Sequence, residues 1–504
     1  MEQAAGLVYQ LFQHEMFPWT FSVLALFPFL LLVLHYLATN LTTPTTCKET
    51  RNHHPPPPSP PRLPIIGHLH LIGDLLHVSL RELAHRYGPD LMLLHLGQVP
   101  NLIVSSPRAA EAVLRTHDLV YASRPYSLIA DILLYGPSDV GLSPYGEQWR
   151  QSRRIITTHL LSNKKVRSYR VAREEEVHKV MAKVHELSTK GMAVDMTELF
   201  STFSNDLICR LVSGKNFQGD EGRNKLFRFN LEDYYPGLAR LKAVSRVMCA
   251  KAWNTRKLWD ELLDEIIDER LSKQKCEHDR GNGDQDEKNF DMFQAGTETS
   301  SVVLVFTMAE LMKKLHLMAK LQAELRTNIS KQGQELITER DLTNMTYLKA
   351  VIKETLRLHP PTPLLLPHLV VADCDIDGYM VRSGTRVIVN AWAIGRNSES
   401  WEAAEEFLPE RFVDGGSAAN VDFIGTNFQF LPFGAGRRIC PGINFASASM
   451  EIILANLLYH FDWDVPAEVA VDKDGIDMAE AFGLSVQLEE KLLLLPVEYK
   501  DSMH

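Results

Sequence analysis

The sequence predicts a mainly α-helical fold with small β-sheets, set behind a single N-terminal transmembrane helix. Three observations carry that expectation: one uncharged apolar stretch near the start, long segments with helical periodicity, and strand-like runs that are few and short. The 504 residues allow a large buried core. Net charge is −10, from 53 basic and 63 acidic side chains, which argues against a general nucleic-acid binder. The six cysteines are scattered without C-x-x-C spacing, which speaks against a disulfide framework and a structural zinc site.

Taken in order, residues 1–16 contain Glu2 and Glu15 but no Lys or Arg. Phe17 to Ala38, FPWTFSVLALFPFLLLVLHYLA, then runs 22 residues without a formal charge. That length lets a helix cross about 30 Å of hydrocarbon. A cleaved signal peptide would have a shorter apolar core behind a basic start. Here Lys48 and Arg51 follow the stretch instead, and the basic flank normally stays cytosolic. Residues 1–16 are therefore expected to be lumenal, 17–38 to form the anchor, and the bulk of the chain to face the cytosol. Residues 39–62 end in HHPPPPSPPR, expected as a stiff, extended linker because proline fixes φ and disfavours helix. The folded domain is expected over 63–504.

Within that domain LMLLHLG (91–97), NLIVSS (101–106) and TRVIVNAW (385–392) read as strands. Residues 303–326 read as a helix, with Leu304, Met308, Leu311, Leu315 and Met318 recurring at three- and four-residue steps. Residues 446–461 repeat the pattern through Ala446, Met450, Ile453, Leu457 and Phe461. The polar HDRGNGDQDEK (278–288) reads as a surface loop.

The segment most suggestive of chemistry is PFGAGRRICPG, 432–442. It has neither helical nor strand period, and its three glycines permit close backbone approach. Pro441 and Gly442 lead into the amphipathic helix, so Cys440 sits at a helix N-terminus. Amides and the positive dipole end favour a thiolate there. A thiolate with amide donors aimed at its sulfur suits a haem iron, whereas a cysteine in isolation is more often a small buried residue beside a glycine turn.

The string Phe433-Gly434-Ala-Gly-Arg-Arg438-Ile-Cys440-Pro-Gly442 resembles the haem-binding signature of the cytochrome P-450 monooxygenases, F-x-x-G-x-R-x-C-x-G, at every fixed position. The resemblance runs from the anchor to the C-terminus and implies the cytochrome P-450 fold with haem b ligated by Cys440. Further motifs follow it. Glu354 and Arg357 in KETLRLHPP share a helix face at i, i+3 spacing, on its own usually a solvated surface pair. The resemblance implies instead a buried structural triad with Arg411 of Pro409-Glu410-Arg411-Phe412. Ala295-Gly-Thr-Glu298-Thr299 could be a capped helix start or an acid and hydroxyl that hold water. The resemblance assigns Glu298 and Thr299 to proton delivery. Trp149 and Arg153, four residues apart on one face, resemble the family's W-R-x-x-R helix. With Arg438, Arg124 and His368 they are implied to contact the haem propionates, and Phe433, Gly434 and Gly442 to line the haem.

Between Arg150 and Arg173 lie eight Lys or Arg and no Asp or Glu. Such runs are mostly solvated faces; beside the haem this one suits an acidic flavoprotein reductase carrying electrons from NADPH. The resemblance also implies an endoplasmic reticulum membrane setting, a single pass, and insertion of one oxygen atom of O2 into a small hydrophobic substrate. Ile129, Leu133, Ala295, Leu364 and Phe482 are the implied substrate contacts. The entry segment, LPERF and the cysteine loop are similar to the plant A-type branch, and within it to grass enzymes of indole-derived or terpenoid metabolism. Three places depart from the family. Only Asn289 to Gln294 separate AGTET from the polar stretch, KLFR–FNLEDYYPG (225–237) is shortened where a helix roofs the pocket, and Leu315 replaces a common proline. These departures raise the alternative of a haem-binding membrane protein with impaired catalysis.

Overall fold

The computed structural model describes residues 54–133, 136, 139–213, 250, 252–254, 256–257, 283–329, 336–466, 476–483 and 485–500. The expected anchor at 17–38, the region 225–237 and the start of the polar stretch lie outside these residues. Among the described residues no helix is long and apolar enough to cross a membrane.

Helices dominate: α1 (Leu76–Tyr87), α2 (Leu128–Leu133), α3 (Glu147–Ile155), α4 (Arg170–Thr189), α5 (Met196–Ser213), α6 (Gly283–Lys313), α7 (Leu315–Asn328), α8 (Thr346–Leu358) and α9 (Ile443–His460). Their apolar residues merge into one large core, in which α4, α5, α6, α7, α8 and α9 all take part. α9 is buried over consecutive positions from Ile452 to Leu458, as a helix apolar on all sides must be. α8 stops at Leu358, because Pro360 and Pro361 cannot continue it.

The β component is small. β1 (Leu91–Leu96) pairs antiparallel with β2 (Val99–Val104). Further along are β3 (Val194–Asp195), β4 (His368–Leu369), β5 (Cys374–Ile376), β6 (Tyr379–Val381), β7 (Arg386–Val389), β8 (Phe461–Asp464), β9 (Glu480–Ala481), β10 (Gln487–Leu488) and β11 (Leu493–Glu498). The largest sheet runs β1-β2-β7-β4, with β2 and β7 parallel. All four residues of β7 are buried, as a strand covered on both faces requires.

Three expectations about local structure are corrected. The helix expected over 303–326 breaks at Lys314 (φ −124°, ψ 68°), where the side chain turns away to bond Glu406 and the Phe407 carbonyl. Leu315 is consequently 60% exposed and lies off the apolar stripe. The polar stretch expected as a loop is helical from Gly283 onward. Gly283 to Gln294 thus place about 18 Å of helix ahead of AGTET, where the sequence suggested half that.

Finally, the described part of the expected linker is docked on the domain. Pro57 and Pro60 are buried. The Pro58 carbonyl accepts from Leu93 N at 2.8 Å, Pro55 from Met380 N at 2.8 Å, and Pro60 bonds His68 Nε2 at 2.9 Å. Proline lacks an N–H but keeps its carbonyl, so an extended proline segment can cover strand edges as an acceptor.

Candidate active site

The cysteine loop is a tight turn between the large core and α9. Cys440 N donates to the Phe433 carbonyl at 2.9 Å, closing the loop. Phe433 packs edge-on against Phe423 with ring centroids 5.2 Å apart. Gly436 lies at φ +66°, and a Cβ there would sit 2.0 Å from the Leu114 carbonyl oxygen, so no other residue fits. Gly442 is the N-cap of α9, and its amide donates to Cys440 Sγ at 3.3 Å. Burial pushes the Cys440 thiol up, while the Gly442 amide and the Arg153 guanidinium pull it down. The amide donor is the one the sequence anticipated at this sulfur, whereas the Arg153 guanidinium and the burial that prevails over both were not read from it.

Around this loop the structure gathers the expected cations. Arg438 donates to the carbonyls of Ala122 (2.7 Å), Val140 (3.2 Å) and Ser143 (2.7 Å), and its guanidinium lies 4.2 Å from the Trp149 ring centroid. Trp149 is buried, and its indole donates to Val140 at 3.0 Å. Arg153, one turn on along α3, donates to the Ile439 carbonyl next to Cys440. Arg124 donates to Gly141 (2.9 Å), Leu366 (2.7 Å) and Pro367 (2.9 Å). Burial pulls Arg124 down to about 9 and Arg438 to about 10, with Arg438 acting on Arg124 and Arg153 on Arg438. Asp139 opposes the shift in both. One carboxylate, Asp139, acts on Arg124 and Arg438, while Arg153 adds a further guanidinium beside Arg438; the surplus positive charge suits an anionic ligand.

His368 is buried on β4, with Nδ1 2.8 Å from the Tyr121 carbonyl oxygen. That geometry requires Nδ1–H to donate. Burial and the two arginines hold its pKa well below the ordinary value. A neutral ring in that tautomer presents a lone pair at Nε2, so it binds a carboxylate only after taking up a proton. Sequence alone cannot reveal that condition. The donor set as a whole fits a haem: a sulfur with an amide donor, beside cations that lack enough carboxylates of their own.

Glu354, Arg357 and Arg411 are all buried. Arg357 grips Glu354 through Nε (2.8 Å) and Nη2 (2.7 Å), and Arg411 Nε lies 3.1 Å from both carboxylate oxygens. Their remaining donors reach the carbonyls of Gly395, Ala404 and Glu406 from Arg357, and Glu402 from Arg411. The triad thereby pins the 395–411 segment that leads to the cysteine loop.

On α6, Gly296 allows close packing of α5, since a Cβ there would meet Ile208 Cδ1 at 2.8 Å. Thr299 Oγ1 donates to the Ala295 carbonyl at 3.0 Å, one turn back. Glu298 accepts from Gln487 Nε2. Burial pushes Glu298 up to about 7, against hydrogen bonds from Gln487 and Ser485. Neither of those partners was singled out from the sequence, and no spacing or motif in 485–488 marks them.

The expected substrate contacts fall into groups. Ile129 and Leu133 share one buried cluster with Ala252. Leu364 and Phe482 share another with Leu76 and Leu80. Phe482 also meets Val302, Phe306 and Val486, which ties it to α6. Ala295 belongs to none of these and is exposed.

The cytochrome P-450 family profile matches residues 57–285 and 256–487, two segments that overlap on 256–285. The chain is 47% identical to indole-2-monooxygenase of Zea mays, covering 98% of this chain and 99% of that one. It is 45% identical to 3-hydroxyindolin-2-one monooxygenase of Zea mays, over 93% of each. A zebra fish cytochrome P-450 solved with abiraterone superimposes with a TM-score of 0.66 at 24% identity, covering 85% of this chain and all of that one. The alignment to the first maize enzyme spans 542 positions, more than the 504 residues here. That relative therefore carries residues with no counterpart in this chain.

Proposed function

This chain belongs to the cytochrome P-450 family of monooxygenases, and on that premise we propose that it oxidises a small, hydrophobic, indole-derived plant metabolite with one oxygen atom of O2. The observation that carries the substrate class is the pair of maize relatives named for indole and 3-hydroxyindolin-2-one, aligned over more than nine-tenths of their length.

The haem, when bound, supplies the reduction and splitting of O2 and the oxidising equivalent for the substrate. Cys440 would hold it through sulfur, with the Gly442 amide supporting the thiolate. Arg124, Arg153, Arg438 and Trp149, and His368 once protonated, would take its carboxylates, and Phe433 and Gly434 would lie against it. Glu298 moves protons: a carboxyl near 7 can both give and accept one at neutral pH. Thr299 commits its hydroxyl hydrogen to Ala295, leaving its lone pairs free to accept from water. Ile129, Leu133, Leu364 and Phe482 would exclude water and orient the substrate by apolar contact, with Ala295 at the edge of the site.

Electrons would come from NADPH through a flavoprotein reductase, and an N-terminal anchor over 17–38 would hold the domain on the cytosolic face of the endoplasmic reticulum. Of the eight basic residues in 150–173, Arg173 is buried on Glu339 and Arg150 and Arg170 pair with Glu147 and Glu174. Arg154, Lys164, Lys165 and Arg167 are exposed and form the surface that suits an acidic partner. Arg154→Glu and Lys165→Glu are expected to lower reductase-driven turnover about tenfold and to spare turnover driven by a peroxide surrogate; equal loss in both assays would remove this surface from the proposal.

The test is the absorption spectrum of the reduced, carbon-monoxide-bound protein in microsomes, followed by product analysis with indole and indolin-2-one. A strongly red-shifted Soret band with oxygenated product supports the proposal. The second reading, impaired catalysis through an incomplete pocket roof, is favoured by the unmatched positions in the maize alignment. It predicts the same band with NADPH consumed and no product. Absence of the band would sink both readings.

A further inference from the structure

We propose that Gln487 is the positioning residue of the Glu298 carboxyl, held in register by a hairpin that grips α6 at two points. The proposal rests on the assignment of Glu298 to proton transfer.

The hairpin is β9 and β10, with Gln487 opposite Ala481 and Leu488 opposite Glu480. At its first grip, Gln487 Nε2 donates to Glu298 Oε1. Ser485, on the same hairpin, adds a hydroxyl. Among the described residues, the groups that act on Glu298 are this amide and this hydroxyl, and neither is charged. At the second grip, Glu480 sits between two buried histidines. Its Oε2 lies 2.9 Å from His77 Nε2 on α1, and its Oε1 lies 3.7 Å from His359 Nδ1 at the end of α8. His359 Nε2 then lies 2.8 Å from Glu310 Oε1, about 18 Å along α6 from Glu298. The His359 ring stacks on Phe306 of the same helix, with centroids 4.4 Å apart and 9° between planes. Although burial raises Glu480, the His359 and His77 rings beside it, His77 at hydrogen-bond distance, outweigh it and hold the carboxyl at about 2. The anchor is therefore ionised throughout the working range, and it ties the hairpin to α1, α8 and α6 together.

The chemistry explains why a neutral donor stands at 487. A desolvated carboxyl with no donor would stay protonated and turn freely, and so could not accept a proton. A lysine or arginine in the same place would hold it ionised. A neutral amide, with the Ser485 hydroxyl beside it, fixes the carboxyl's direction and leaves its proton affinity near neutral, as a group that gives and retakes protons requires.

The direct readout is an infrared titration of the Glu298 carboxyl in the full-length, haem-loaded protein, with the band assigned by its loss in Glu298→Gln. Gln487→Met removes the donor and should raise the midpoint by about one pH unit. Gln487→Lys supplies a charged donor and should lower it by about as much or more. The pH limb of coupling, product formed per NADPH consumed, should move in the same two directions. Midpoints unmoved by both substitutions, or moved the same way by both, would overturn the proposal; mere structural damage would not shift them oppositely. Because the titration needs no turnover, it reads Gln487 even if the monooxygenase reading fails. A retained carbon-monoxide band with an unmoved midpoint would overturn the role of Gln487 alone.

Discussion

Cys440→Ser should abolish oxygenation altogether, with turnover falling to background and the red-shifted carbon-monoxide band replaced by one typical of a neutral or vacant proximal position. The sulfur has a desolvated site, an amide donor at 3.3 Å and a nearby guanidinium. A serine oxygen in that place is a far weaker donor of electron density to iron. The loop itself should survive, because its geometry depends on Gly436 against the Leu114 carbonyl and on the Phe433–Cys440 backbone bond, which a serine leaves untouched. Near-normal folding by circular dichroism together with lost activity would locate the defect at the ligand. A Cys440→Ser protein that kept the red-shifted band would remove the haem-thiolate reading.

Glu354→Ala should act on folding instead. The carboxylate neutralises two buried guanidiniums and also accepts from Leu408 N at 2.8 Å. Its removal strands both cations in the core at a cost of about 3–5 kcal/mol. A domain whose net stability is about 5–15 kcal/mol tolerates that poorly. The expected result is little or no haem-loaded protein, with the remainder aggregated. Glu354→Gln should be nearly as damaging, because an amide keeps the shape without the charge. Wild-type yield from either variant would show that the triad is not needed to hold the 395–411 segment.

Both targets were legible because the motifs that carry the family resemblance are local, although the burial of Glu354 and Arg357 and their link to Arg411 came from that resemblance and not from the spacing. Glu354 and Arg357 are one helical turn apart, and the cysteine loop is eleven consecutive residues with backbone requirements of their own. Trp149 and Arg153 were legible too, since one helix places both on the face that meets the loop. What the sequence hid depends on distant partners. Gln487 meets Glu298 across 189 residues, and nothing in the run SVQL distinguishes that glutamine. At the break, Lys314 bonds Glu406 and the Phe407 carbonyl, partners far along the chain. The stretch after Gly283 reads as loop by composition, yet its backbone forms the first turns of a long helix. The docked prolines show the same limit, because strand edges that accept them are invisible from the proline run itself.

The gathering of Arg124, Arg153 and Arg438, with Asp139 acting on only two of them, has a bearing on how the protein matures. Before its prosthetic group arrives, the chain must enclose like charges that repel one another. The group that cancels them then acts as a folding ligand as well as a reagent. Mass action sets the size of the effect: each tenfold rise in free haem above the dissociation constant adds about 1.4 kcal/mol to the folded state. Apoprotein is therefore expected to unfold at lower temperature than the haem-loaded protein, by a margin that grows with free haem.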